Sequence, residues 1–211
     1  TASYVDIFSV SSQEGSPRGL TFNLDGTKMY ISGDNSDKVF QYGLSTAFDV
    51  STASYDNTFL DAQYETNQVA CHRWRADGSQ IFISNTNQEG ISTFYTKNAT
   101  WAQDTAFLTV SGSTKLGDAG ALAISPDGSY IYAGSTGEAV NSVNNVGAVH
   151  VWRDSSGSGT YTYDQKLVAS DGVSGTKFGS SLALDGKNLL VGAVTEGGSG
   201  AAYVFTQGTD G

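Results

Sequence analysis

The strongest constraint on what this chain can fold into is a repeat. Asp-Gly pairs recur at Asp25-Gly26, Asp77-Gly78, Asp127-Gly128 and Asp185-Gly186, spaced by 52, 50 and 58 residues. Each lies between two short runs of β-branched, aromatic and aliphatic residues, as in Gly19–Leu24 and Lys28–Ser32, or Ser181–Leu184 and Asn188–Gly192. Such a pair between apolar runs is a hairpin signal, because glycine enters the positive φ that the turn requires without strain. A third run alternating apolar and polar residues follows each hairpin: 38–42, 91–95, 148–152 and 201–205. A fourth follows the first three, at 57–60, 105–110 and 163–168. Alternation with period two marks half-buried antiparallel strands. The unit is therefore a four-stranded meander.

A self-repeating meander with apolar faces must stack on its neighbours to bury them. The expected fold is all-β: a β-propeller of four four-stranded antiparallel blades, or a fragment of a larger propeller. One domain spans 1–211, with blades at about 16–62, 64–112, 118–170 and 176–207. The fourth copy ends after its third strand, and Tyr4–Val10 reads as a strand. Thr1-Ala-Ser-Tyr4 also recurs as Thr52-Ala-Ser-Tyr55, just before the outer strand of the first copy. The N-terminal strand therefore either closes the last blade or is the edge of a longer array. The chain begins at Thr1 without a methionine and is expected to be a piece of a longer protein.

Composition narrows the function. The 26 glycines, 11 tyrosines and 10 phenylalanines, with only 2 prolines, suit short strands and tight turns. A net charge of −10 repels phosphate backbones, so nucleic acid is not an expected partner. No apolar run approaches the ~20 residues needed to span a bilayer as a helix. Cys71 is the only cysteine, so no internal disulfide forms. It reads as a small buried hydrophobe. His72 is its neighbour and points to the opposite face of a strand, so the two do not converge on a metal.

The copies fall into two types. The first half carries Ser12-Ser-Gln-Glu-Gly-Ser-Pro-Arg-Gly-Leu-Thr-Phe22 and Tyr42-Gly-Leu-Ser-Thr-Ala-Phe-Asp-Val-Ser-Thr-Ala-Ser-Tyr55. Residues 1–110 thereby resemble tandem repeats of marine bacterial surface proteins and phage tail-associated proteins. The second half carries Phe178-Gly179, Gly192-Ala193 and Gly197-Gly-Ser-Gly-Ala-Ala-Tyr-Val-Phe205. Residues 118–205 resemble the FG-GAP repeats of integrin α-chains and bacterial surface proteins. The family's usual proline after Gly-Ala is replaced by Val194. Some FG-GAP blades hold calcium in an Asp-x-Asp-x-Asp-Gly loop, which gathers hard oxygens. The corresponding turn here, Leu184-Asp-Gly-Lys-Asn188, has one carboxylate and a lysine, which removes that inference. Asp34-Asn35-Ser36-Asp37 is the other oxygen-rich cluster and reads as an Asx-type turn. No cofactor and no metal are expected.

The resemblances imply a non-catalytic binding or structural module of an extracellular or virion surface protein. It would serve adhesion, receptor or glycan binding, or assembly. Its partners would be a protein or glycan on a cell surface, or neighbouring subunits, with no membrane insertion. Loops held by a rigid scaffold are the natural contact surface. The candidates are Asp34, Asn35, Asp37, Asn87, Glu89, Glu138, Asn141 and Asn144. No Gly-x-Ser-x-Gly elbow is present, and no catalytic residue is expected. The alternative is a propeller enzyme acting on a sugar or lactone in the central channel, with Asp61, Glu65, Asp118 and Glu14 as its carboxylates.

Overall fold

In the computed structural model, residues 6–62, 69–85, 92–97, 101–110, 116–117, 121–194 and 199–208 are described. They form four antiparallel sheets in chain order. The first blade is β1 (Pro17–Phe22), β2 (Lys28–Gly33), β3 (Lys38–Leu44) and β4 (Ala53–Asp61). The second is β5 (Val69–Trp74), β6 (Gln80–Asn85), β7 (Ser92–Lys97) and β8 (Trp101–Leu108). The third is β9 (Leu122–Ile124), β10 (Tyr130–Ser135), β11 (Ala148–Arg153) and β12 (Thr162–Leu167). The fourth is β13 (Phe178–Asp185), β14 (Asn188–Ala193) and β15 (Ala201–Thr206). Every sheet is a meander with nearest-neighbour pairing, as the repeat requires.

The Asp-Gly turns are built alike. Gly26, Gly78, Gly128 and Gly186 have φ of 70°, 70°, 72° and 57°. In the first three, the aspartate Oδ1 accepts from the backbone N–H and the hydroxyl of the residue two ahead. The backbone distances are 2.9, 2.9 and 3.0 Å, to Thr27, Ser79 and Ser129. The hydroxyl gives Asp-Gly-Thr/Ser one more hydrogen bond to the aspartate than the backbone alone makes. The fourth turn has Lys187 at that place and lacks the hydroxyl.

Successive blades pack through their first strands, with β1 and β2 against β5, β5 against β9, and β9 and β10 against β13. Strand alternation gives each blade two apolar faces. Between the first and second lie Tyr30, Val39 and Leu60 against Ile81 and Ile83. Between the second and third lie Cys71 and Phe82 against Ile131, Trp152 and Tyr161. Between the third and fourth lie Tyr132, Val149 and Val151 against Phe178, Leu189 and Val191. Burial of each such side chain stabilises by about 1.5–3 kcal/mol. As alternation demands, Cys71 faces the third blade and His72 faces the first.

The N-terminal segment differs from its reading as a strand. Residues 6–10 belong to no strand, and β15 pairs only with β14 among the described residues. Phe8 and Val10 instead pack on the outer face of the first blade with Met29, Ile31, Phe40 and Tyr42. Phe8 meets Tyr42 edge-on at 5.6 Å. Packing there takes Phe8 and Val10 out of water against an apolar face close by in sequence. Residues 1–5 lie outside the described set.

Candidate binding surface

Two clefts open at the hairpin end of the blades. Between the first and second blades is a cleft of about 390 Å³, lined by Phe22, Tyr30 and Trp74 with Asn23, Asp25, Arg75 and Asp77 on its rim. The Tyr30 and Trp74 ring centroids are 4.5 Å apart at 45°. Tyr30 is buried, and that burial, with the charges of Asp56 and Asp25, pushes its hydroxyl up to about 12. Hydrogen bonds from Thr27 hold the Asp25 carboxyl below its usual range, so the rim carries carboxylates at neutral pH.

What keeps this cleft open is the residue two before the hairpin aspartate. Asn23 folds back on its own turn. Its Oδ1 accepts from Lys28 N–H at 2.8 Å and its Nδ2 donates to Thr27 Oγ1 at 3.3 Å. Ser125 does the same in the third blade, its Oγ accepting from Tyr130 N–H at 2.8 Å. A second cleft of about 440 Å³ opens between the third and fourth blades, with Tyr130, Tyr132, Arg153 and Phe205 in its lining. In the second blade the equivalent residue is Arg75, and it reaches outward. Its guanidinium meets Asp77 at 3.2 Å and Asp154 at 3.6 Å, and its stem lies over Gly128 of the third blade.

At the opposite end lie the loops expected from sequence to make contacts. Asp34 pairs with Arg18 at 2.5 Å, and Asn35 is exposed. Asp37 takes a left-handed φ of 53°. Its carboxyl is raised by burial and then by the charges of Asp61, Glu14 and Asp34. Glu14, itself buried, holds this loop from below by accepting from Asn35 N–H at 3.2 Å and Ser36 Oγ at 2.7 Å. Asn87 and Glu89, like Glu65 and Asp118, lie outside the described residues. Asp61 ends the outermost strand of its blade, away from the first strands through which the blades stack.

The long loop of the third blade is a small hairpin. Val140 and Val143 bond each other's backbones, and Asn141 and Ser142 turn the tip at φ of 52° and 66°. Asn141 and Asn144 are exposed there. Glu138 is not: it is buried, 2.5 Å from His150 Nε2 and 3.1 Å from Lys166 Nζ. Burial opposes its ionisation, but the hydrogen bonds and charges of His150 and Lys166 prevail and hold its pKa down. This carboxylate anchors the loop, and the exposed tip does the presenting. His150 Nδ1 lies 3.3 Å from Tyr163 Oη, completing a chain from Glu138 to a half-exposed phenol.

His72, also buried, spans two blades with Ser32 Oγ and Thr21 Oγ1 each 2.8 Å from its ring nitrogens. No group of three or more His, Cys, Asp or Glu residues is arranged to hold a metal among the described residues. No helix there is long and apolar enough to cross a membrane. Sequence reasoning missed the open clefts and Trp74 as a wall residue. The usable signal was the contrast of Asn23, Arg75 and Ser125 at one repeat position.

Comparison with known proteins agrees with this architecture. An FG-GAP repeat model matches residues 161–205, the last strand of the third blade and the fourth blade. Comparison with curated proteins gives no match. Among solved structures, the chain is similar to a 6-phosphogluconolactonase-like protein of Bacteroides uniformis. That match has 13% identity and a TM-score of 0.60, covering 93% of this chain and 57% of that one. It is similar to hydrazine synthase of Kuenenia stuttgartiensis at 16% identity and a TM-score of 0.61, covering 97% and 49%. It also matches the Swd1 β-propeller domain of Myceliophteria thermophila at 11% identity and a TM-score of 0.50, covering 84% and 48%. These likenesses define the fold: the chain is a β-propeller repeat protein, and it spans about half the length of the solved chains it matches.

Proposed function

We propose that this chain is a non-catalytic binding module of a protein displayed on a cell or virion surface, and that its ligand is a neutral saccharide held in the cleft between the first two blades. The observation that carries the reading is the make-up of that cleft. Half-buried Trp74 and Phe22 stand over buried Tyr30, beside a rim that offers both donors and acceptors. A pyranose ring has the same two properties, an apolar C–H face and a belt of hydroxyls that both donate and accept. Sites of this kind are mostly apolar with a few placed polar groups. Arg75 offsets Asp77, and Asp25 leaves the rim an ionised carboxylate that can accept from sugar hydroxyls. The FG-GAP match supports surface display. The non-catalytic reading is supported by the buried ionisable groups: Glu14, Glu138 and His150 are each engaged in holding a loop or strand.

The test is a panel of neutral hexoses, deoxyhexoses and acetamido sugars, titrated against the protein by calorimetry and by saturation-transfer NMR, with choline as a cationic control. One sugar class is expected to bind at millimolar strength. Trp74→Ala removes the aromatic wall and Asn23→Arg fills the cleft as Arg75 does next door. Each is expected to weaken binding by at least about tenfold, or 1.4 kcal/mol. A blank panel, binding of choline alone, or sugar binding indifferent to both variants would overturn the reading.

A further inference from the structure

The two clefts at the hairpin end differ in the charge of their linings. The one between the first and second blades sets Arg75 against Asp25 and Asp77. The one between the third and fourth, of about 440 Å³, sets Arg153 and Lys187 against Asp164. In a chain of net charge −10, that second lining runs against the overall balance. A cleft lined by cations, with low-dielectric walls, focuses its field and concentrates anions.

Strand alternation brings the two cations to one gap. Tyr130 pairs with Arg153 and Tyr132 with Val151, so all four share the face of the third blade that looks toward the fourth. The Arg153 guanidinium lies over the Tyr130 ring, 5.5 Å from its centroid. Tyr130 in turn stacks on Tyr132 at 6.2 Å and 23°, and both rings are buried. The guanidinium therefore rests on a fixed aromatic floor, held there by cation–π attraction.

Lys187 enters from the other side, two residues before Leu189, which is buried in the core between these blades. It also breaks the rule of the repeat. Thr27, Ser79 and Ser129 occupy its place in the other three turns, and each hydroxyl bonds its own aspartate. The fourth turn gives up that hydroxyl and sets an exposed ammonium in the lining of the cleft. A local rule broken where the new side chain lines a cleft is the expected mark of a functional position.

We infer that this cleft is a second ligand site, and that it takes a carboxylate-bearing saccharide such as a hexuronate. Arg153 offers the paired N–H groups that match a carboxylate, and Lys187 adds a second charge at the rim. Exposed Gln165 and Thr206 supply an amide and a hydroxyl for the ring's own hydroxyls, and exposed Asp164 accepts from another. Half-buried Leu167 and Phe205 give its C–H face an apolar surface. The inference stands apart from neutral-saccharide binding, since no residue lining this cleft lines the other.

Calorimetric titration with galacturonate and glucuronate tests it, with galactose and sulfate as controls. A uronate is expected to bind at millimolar strength, and several-fold more weakly when salt rises from about 20 to about 150 mM. Lys187→Thr gives the fourth turn the kind of residue that the other turns carry. It is expected to melt no lower than the wild type while weakening uronate binding about threefold or more. Arg153→Gln is expected to weaken it at least about tenfold, with unchanged circular dichroism. Trp74→Ala, in the other cleft, is expected to leave it unchanged. Absence of uronate binding overturns the proposal, as does binding that survives both Lys187→Thr and Arg153→Gln. Sulfate or galactose bound as tightly as the uronate would also overturn it, the first by leaving a bare anion hole and the second by removing the charge selectivity. Uronate binding by a protein that binds no neutral hexose would support this site and remove only the first.

Discussion

The gap between the first and second blades and the gap between the second and third have the same backbone and opposite fates. The former is an open cleft floored by Tyr30 and Trp74. In the latter, Arg75 crosses toward Asp154, Gln80 Nε2 donates to the Gly159 carbonyl at 3.1 Å, and Tyr161 Oη donates to the Gly128 carbonyl at 2.5 Å. Asp154 is buried, yet its pKa is held down. Burial alone would raise it, but the N–H of Gly159 at 2.7 Å and the backbone and hydroxyl of Ser156 bind the ionised form. The lesson is that a propeller repeat fixes the stacking and leaves each gap's content to a few loop residues. Here Asn23 opens one gap and Arg75 seals the next.

That contrast is broken most severely at the sealed gap. Trp152 is 2% exposed and packs edge-on against Tyr163 at 5.9 Å, within the core shared by the second and third blades. Trp152→Ala leaves a cavity that rigid strands cannot close, and a loss of about 3–5 kcal/mol of unfolding free energy is expected in denaturant melts. Trp74, half-buried at the open cleft, has water on one side already. Trp74→Ala is expected to cost about half as much or less, since less area leaves water on folding. Equal losses for the two would show that the open cleft is as tightly packed as the sealed one.

The two interfaces also differ in pH response. His72 bridges the first and second blades, while Cys71, its neighbour in sequence, faces the third with its thiol 3.1 Å from Ser84 Oγ. Burial, followed by the nearby charge of Arg73, lowers the His72 pKa to about 3. The unfolded chain takes up a proton near the ordinary histidine value of 6.5, whereas the folded chain does not until near 3. The neutral ring's contribution is therefore full above the unfolded pKa and is lost as pH falls from 6.5 toward 3, at up to about 1.4 kcal/mol per unit. Stability measured from pH 7 to 4.5 should fall by about 2–3 kcal/mol more in the wild type than in His72→Gln. Parallel profiles would mean that the histidine is protonated or hydrated in the folded state.

Much of the fold is legible in the sequence because it is written in local chemistry. The Asp-Gly-Thr/Ser turns and the period-two runs locate the strands to within a few residues, since turn and alternation are properties of adjacent positions. The readings that diverged depend on distant partners. Tyr4–Val10 looked like a strand, but in its described part, 6–10, the face at Met29 and Ile31 claims Phe8 and Val10. Glu138 looked like an exposed loop acid, but His150 and Lys166, 12 and 28 residues on, draw it inside. The cleft is written in the sequence only as the contrast of Asn23, Arg75 and Ser125 at one repeat position. Nothing at Asn23 announces that its side chain turns back on Lys28 instead of reaching across as Arg75 does.

The smallest effect is expected at the turns themselves, and it isolates the seal from the hairpin. Gly78 and Gly128 occupy the same place in successive repeats, with φ of 70° and 72°. Alanine at either must adopt a left-handed backbone, which costs about 1 kcal/mol. At Gly78 a Cβ would meet nothing within 4 Å, so Gly78→Ala reports the backbone cost alone. At Gly128 it would lie 2.7 Å from Arg75 Nε and 2.9 Å from its Cγ. The guanidinium must then shift and loosen its hold on Asp154. Thermal melts are expected to place Gly128→Ala below Gly78→Ala by a further few tenths to about 1 kcal/mol, the size of a weakened partly screened ion pair. In an Arg75→Ser background the two alanine variants should cost the same, because the side chain that distinguishes the two turns is gone. A difference that survives there would locate the seal in the turn backbone and not in Arg75.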